Sequence, residues 1–124
     1  MTGRYARGAM RGAMGLRIEM FPADIERFVD FYTRVLRFEL VVDRRSDLHP
    51  YVAVRRGETR IGAAETEAAV DPAARAVPSG IEVVLEVEDL RAERDAIASA
   101  GSPLDVDIAE QPWGLEDFRC VQGR

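Results

Sequence analysis

Residues 16–40, LRIEMFPADIERFVDFYTRVLRFEL, decide the fold. Leu16, Ile18 and Met20 alternate with Arg17, Glu19 and Phe21. A period of two puts the first set on an apolar face and the second on a mixed one, the pattern of a half-buried strand. Pro22 ends that strand, because it brings no N–H to a ladder. Asp24 suits the N-cap of a helix, and Glu26 adds negative charge at the helix's positive end. Ile25, Phe28, Val29, Tyr32, Val35 and Leu36 then recur at helical spacing as one apolar stripe. FELVVD, residues 38–43, follows as a second strand. Within this run Arg17 is the odd residue, a fixed positive charge on a strand otherwise shaped for burial.

Outward from this run, RRSDLHP reads as a polar turn, and YVAVRR and TRIGAAE flank a short Gly57-Glu58 hairpin turn. Residues 66–80 hold two prolines and no strand period, which reads as a linker. IEVVLEVEDLRAERDAIASAG, residues 81–101, then starts the pattern again. Ile81, Val83, Leu85 and Val87 alternate with Glu82, Val84 and Glu86, Asp89 caps a helix containing Leu90, Ile97 and Ala100, and Gly101 closes it. Two short strands follow near 104–109 and 117–122, joined by QPWGLE. Placing Asp24-Ile25 on Asp89-Leu90, an offset of 65, lays strand on strand and helix on helix. The fold predicted is α+β: two βαβββ modules, at 15–65 and 81–124, the second lacking its last strand, with residues 1–14 as a flexible tail.

Composition narrows the classes of function. There is one cysteine, Cys120, and one histidine, His49, so neither an intrachain disulfide nor a cysteine- or histidine-rich metal cluster can form. All 17 basic residues are arginine, which reads as a coding bias. Residues 1–14 carry three arginines and no acid, so the remainder carries −5 − 3 = −8. An acidic body repels phosphate backbones, so no nucleic-acid partner is expected. No apolar run approaches a membrane span, and the first residues lack the apolar core of a secretion signal, so no membrane partner is expected and the reading is cytoplasmic.

PADIERFVDFYTRVLRFEL resembles the strand-to-helix turn, and the helix ending FYxxVLGF, of the vicinal oxygen chelate superfamily, which includes glyoxalase I, extradiol dioxygenases and bleomycin-resistance proteins. EVEDLRAERDAIASAG resembles its counterpart in the second module, and QPWGLEDFR the segment before that family's Asp-Pro-Asp-Gly turn. Arg37 stands where Gly is usual, and the Asp-Pro-Asp-Gly turn is absent, QGR standing in its place. The resemblance covers roughly 15–122. It implies two modules wrapping into one open cleft-bearing sheet, helices on the outside, and frequent dimers. Metal-binding members place ligands on the first and fourth strands of each module. Here those positions fall at Arg17, near Gly62, at Glu82, and at 127, outside the 124 residues.

A cation needs lone pairs, and arginine offers none. One carboxylate holds a catalytic divalent ion poorly. The sequence therefore implies no metal and no other cofactor. The alternative, a metal-dependent lyase, isomerase or dioxygenase, would need displaced ligands from Glu82, Glu65 and Glu19. Arg17 is expected to pair with Glu82 across the pseudo-twofold in place of the metal, because a partly buried charge needs a partner. Arg17, Glu19, Phe21, Glu82, Val84, Glu86 and Trp113 would then line an acidic, partly flat and apolar cleft. Such a cleft suits a cationic or amphipathic small molecule. Trp113 has an equal structural reading, packing at a tight turn or a dimer interface. No residue is assigned a catalytic role. The reading is a small-molecule binding protein of the drug-sequestering type, a homodimer that covers the edge left by the missing strand; a domain working through protein contacts alone is the remaining alternative.

Overall fold

The computed structural model describes residue 12 and residues 14–65, 72–74 and 80–120. Most of the tail and of the linker lie outside these residues; within the linker, Pro72–Ala74 form a short 3-10 turn. The first module follows the alternation from Ile18 onward, while Leu16, expected on the apolar face, is exposed before the strand begins. Strand β1 is Ile18–Met20, helix α1 is Ile25–Asp30, and β2, β3 and β4 are Glu39–Arg44, Tyr51–Arg56 and Thr59–Ala64. They form a four-stranded sheet in the order β1-β4-β3-β2. β1 lies parallel to β4, pairing Ile18 with Ile61 and Glu19 with Gly62, and the other pairs are antiparallel. Asp24 caps α1 as expected, its Oδ1 accepting from the backbone N–H of Glu26 and Arg27. Gly57 sits at φ 56, the left-handed conformation that the two-residue β3–β4 turn requires.

In the second module α2 is Leu90–Ser99, and β5, Leu104–Glu110, pairs antiparallel with β6, Glu116–Cys120, as a separate two-stranded sheet. Asp89 caps α2 by accepting from Ala92 N–H. Gly101, at φ 80, closes it: Gly101 N–H donates to Ala98 O and Ser102 N–H to Ile97 O. The matching left-handed residue after the first helix is Arg37, at φ 58. From cap to left-handed residue is 13 positions in the first module and 12 in the second. The difference is one residue, and the first helix continues as a π-helical turn over Phe31–Val35, the usual structural form of a one-residue insertion. The arginine in place of glycine is held in that conformation by its side chain, which donates to Val35 O and to Glu93.

The strand expected at 81–87 needs correction. The alternation at 81–87 predicts a strand, and none forms there. In the first module β1 is held by its ladder to the fourth strand, β4; among the described residues 81–87 has no such neighbour, so its backbone has no ladder to join. Its apolar residues are left exposed, Ile81 at 71% and Val84 at 67%. Among the described residues the strands lie in a four-stranded and a two-stranded sheet.

The modules share one core. Phe28, Phe31, Tyr32, Val35 and Leu36 from the first helix pack with Val52, Val54, Ile61 and Ala63 of the sheet and with Ile97 of α2. Leu104, Phe118 and Cys120 of the second sheet pack against the same cluster. Tyr32 stacks between Phe28, Phe31 and Phe38 at centroid distances of 4.5, 5.3 and 5.4 Å. Burial pushes its phenol up to about 12, so it stays neutral, and its O–H points at Met20 Sδ, 3.6 Å away. The one charged residue buried among the described ones is Glu93. Its carboxylate accepts from Arg37 Nη2 at 2.6 Å, from Arg56 Nη1 at 3.0 Å, and from Arg56 Nη2. The Arg56 guanidinium, followed by Arg37, holds the Glu93 carboxyl below the usual glutamate range.

Glu93→Ala should therefore lower stability by about 2 kcal/mol, because two arginines lose the carboxylate they converge on. Asp95→Ala, on the exposed face of α2, should stay within about 0.5 kcal/mol. A depressed carboxyl contributes stability above its ordinary range and loses that contribution as pH falls through the lowered value. Denaturant melts across the acid range should show that loss in the native chain, and Glu93→Gln should lack this component.

Candidate functional site

The face of the first sheet opposite the core carries the polar residues that the alternation assigns to a cleft. Arg17 Nε, just before β1, lies 2.6 Å from Glu19 Oε1, two residues along the chain. Tyr51, at the start of β3, donates its hydroxyl to the same oxygen at 3.1 Å. β1 and β3 are not ladder neighbours; β4 lies between them, and Gly62 is the β4 residue paired with Glu19 on one side and Ala53 on the other. A Cβ built on Gly62 would collide with the Glu19 carboxylate and the Tyr51 hydroxyl. The missing side chain is therefore what lets the glutamate and tyrosine meet over the middle strand. Arg17 and Glu19 are partly buried there, with side chains 21% and 32% exposed.

The pairing of Arg17 with Glu82 is not what forms. Glu82 reaches Arg119 of β6 at 3.4 Å. The modules join through their apolar faces, so the polar face of β1 and the 81–87 segment take separate partners. Of the other expected cleft residues, Phe21 is half-exposed, Val84 and Glu86 lie on the unpaired segment, and Trp113 is exposed in the β5–β6 turn. That turn is held by Gln111 N–H donating to Leu115 O and by Gly114 at φ 91. The structure brings together Arg17 and Glu19 beside Gly62, the position that the resemblance placed among the family's ligand positions, and adds one residue that sequence reading did not assign to the cleft, Tyr51. The signal for Tyr51 was the position of Gly62, a glycine inside a strand, which often marks a close approach.

Arg17 has no lone pair to offer and is joined to Glu19, Gly62 has no side chain, and Glu82 is joined to Arg119. Among the described residues no group of three or more His, Cys, Asp or Glu side chains lies close enough to hold a metal ion. His49 is exposed in the bend before β3, and Glu65 is exposed at the end of β4. No helix among the described residues is long and apolar enough to cross a membrane.

The family model described as the Glyoxalase/Bleomycin resistance protein/Dioxygenase superfamily matches residues 16–121. The chain belongs to this superfamily. Its fold is similar to that of a superfamily member from Sphaerobacter thermophilus, at a TM-score of 0.65 and 21% identity, covering 87% of each chain. It is similar to a bleomycin resistance determinant encoded on transposon Tn5, at a TM-score of 0.68 and 19% identity over 89% of each chain. A third likeness is to TioX from Micromonospora sp. ML1, at a TM-score of 0.64 and 17% identity, covering 90% of this chain and 94% of that one. At such identities the likeness is one of fold. A search of curated protein sequences gives no match.

The contact over Gly62 makes a direct test. Gly62→Ala should destabilise by about 1 to 2 kcal/mol by forcing Glu19 and Tyr51 apart. In a Tyr51→Phe background the same change should cost less, since the hydroxyl it displaces is already gone. A double-mutant cycle in urea reads that difference; additive losses would mean that the two residues do not meet over Gly62.

Proposed function

We propose that this member of the superfamily binds a cationic or amphipathic small molecule without metal catalysis, as a sequestering protein of the bleomycin-resistance type. The observation that carries this reading is the occupancy of the family's ligand positions in the first module: an arginine paired to a glutamate, and a glycine. Such a site presents fixed hydrogen-bonding groups, not lone pairs, so it orients a ligand and does not polarise it. The remaining groups assigned to the cleft, Glu19, Glu82 and Glu86, are acidic, with flat surface at Phe21 and Trp113. Flat apolar surface beside carboxylates favours an aromatic cation.

The cleft is best completed by two copies. Within one chain the polar face of β1 and the Glu82 segment keep separate partners, at Glu19 and at Arg119. A homodimer that sets the first module of one copy against the second module of the other would bring them together, and would cover exposed apolar residues of 81–87.

Trp113 is the single tryptophan and is largely exposed, so its emission reports a ligand stacking on it. Titration with bleomycin as the probe should give a saturable change in Trp113 fluorescence. Glu82→Gln with Glu86→Gln should weaken it several-fold, the more so at low salt. Sedimentation should show a dimer at the concentrations used. Melting curves with nickel, zinc, manganese or iron(II) should match those after chelator treatment. A rise of several degrees that saturates at one metal per cleft would replace this reading with that of a metal-dependent enzyme.

A further inference from the structure

Along β4, Ile61 and Ala63 enter the core, so Arg60 lies with Gly62 on the opposite face, where Glu19 and Tyr51 meet. The register sets Arg55 of β3 directly across from Arg60. On the other side Ile18 pairs with Ile61, so Arg17, one residue earlier, falls beside Arg60 in the parallel ladder. Glu39 of β2, paired with Arg55, ends the row. Three arginines therefore stand side by side across the sheet, and like charges directly opposite each other destabilise a ladder. Two carboxylates answer them. Glu19 takes Arg17 at 2.6 Å, and Glu39 reaches Arg55 at 3.6 Å with both side chains more than half exposed. Among the described residues no carboxylate pairs with Arg60, and its Nε is buried with no hydrogen-bond partner. A buried donor on a charged group is costly to leave unpaired.

We propose that Arg60 binds a carboxylate of the ligand, at an anion subsite on this face of the first sheet. The inference rests on the reading that a small molecule lies over that face, and it gives the cationic or amphipathic molecule an acidic end as well. The first argument is charge. Three arginines against two carboxylates leave the row one positive charge in excess, which a single carboxylate removes and a doubly charged phosphate overshoots. The second is shape. A guanidinium is planar and stays protonated, and its Nε and one Nη together face both oxygens of a carboxylate. The third is the commitment of the neighbours. Glu19, on the same face, is held by Arg17 Nε and the Tyr51 hydroxyl, which converge on its Oε1. Arg55 is held only loosely by an exposed Glu39, so it adds a second donor to the same carboxylate from across the ladder.

Sodium benzoate is the probe, with sodium chloride at the same ionic strength and neutral benzamide as controls. In the nitrogen-15 spectrum the Arg60 Nε–H signal, assigned by its loss in Arg60→Lys, should move saturably with benzoate and with neither control. Benzoate should also raise the melting temperature of the full chain by a few degrees, since it binds the folded state alone. Arg60→Lys keeps the charge but not the fork, and should weaken benzoate binding, read from melting, about tenfold. Without benzoate, Arg60→Met should melt at or above the native chain, because no partner is lost. A clear fall there would assign Arg60 to the fold and overturn the inference. So would a signal that moves equally in chloride, or a stronger response to inorganic phosphate than to benzoate. Bleomycin tests the parent reading separately. A Trp113 response to bleomycin with none to benzoate sinks the subsite alone; a benzoate response without the Trp113 change sinks the bleomycin-type reading and leaves the subsite.

Discussion

A buried carboxylate joins the two halves of this molecule. Glu93 lies on α2, yet its partners are Arg37 after the first helix and Arg56 at the end of β3. Desolvating a glutamate is unfavourable unless its lone pairs are filled, and two guanidinium groups fill them here. The same contact explains Arg37. A left-handed arginine is strained, and glycine is the residue that ordinarily occupies such a place. Arg37 is kept there because its side chain reaches α2. A glycine would relax the backbone and give up the link between modules.

The shared core follows from this link. Ile97 of α2 and Phe118 and Cys120 of β6 pack on the aromatic cluster of the first helix, with Tyr32 at its centre. An arginine between the helices adds to the junction: Arg34 is bidentate to Asp30 and donates to Ala100 O at 2.6 Å. With the apolar faces of both modules committed to one another, the polar face of β1 is left to organise itself. It does so through Gly62, whose bare backbone lets Glu19 and Tyr51 close over β4. An ordinary side chain at that position would hold the two apart.

Much of this was legible along the chain. The cap at Asp24, the apolar stripe from Ile25 to Leu36, the hairpin at Gly57-Glu58 and the stop at Gly101 are local features, each decided by a residue and its near neighbours. The repeat at an offset of 65 and the motif around residues 22–40 carried the superfamily. The candidate site was legible only in part. Arg17 and Glu19 were placed on one face by period two, but the partner of Arg17 was not, because alternation gives a side chain's face and not what lies across from it.

Sequence by itself determined the α+β content and both helix caps, since these depend on backbone preference and on the chemistry of single side chains. Tertiary structure alone decided the rest. The strand pattern at 81–87 forms no strand, because a strand is made by its neighbour's hydrogen bonds and none of the described residues supplies them. Glu82 goes to Arg119 and Arg17 to Glu19, because the modules meet by their apolar faces. Tyr51 joins the site because β4 sets β3 one strand away from β1, a distance that a tyrosine crosses only over a glycine.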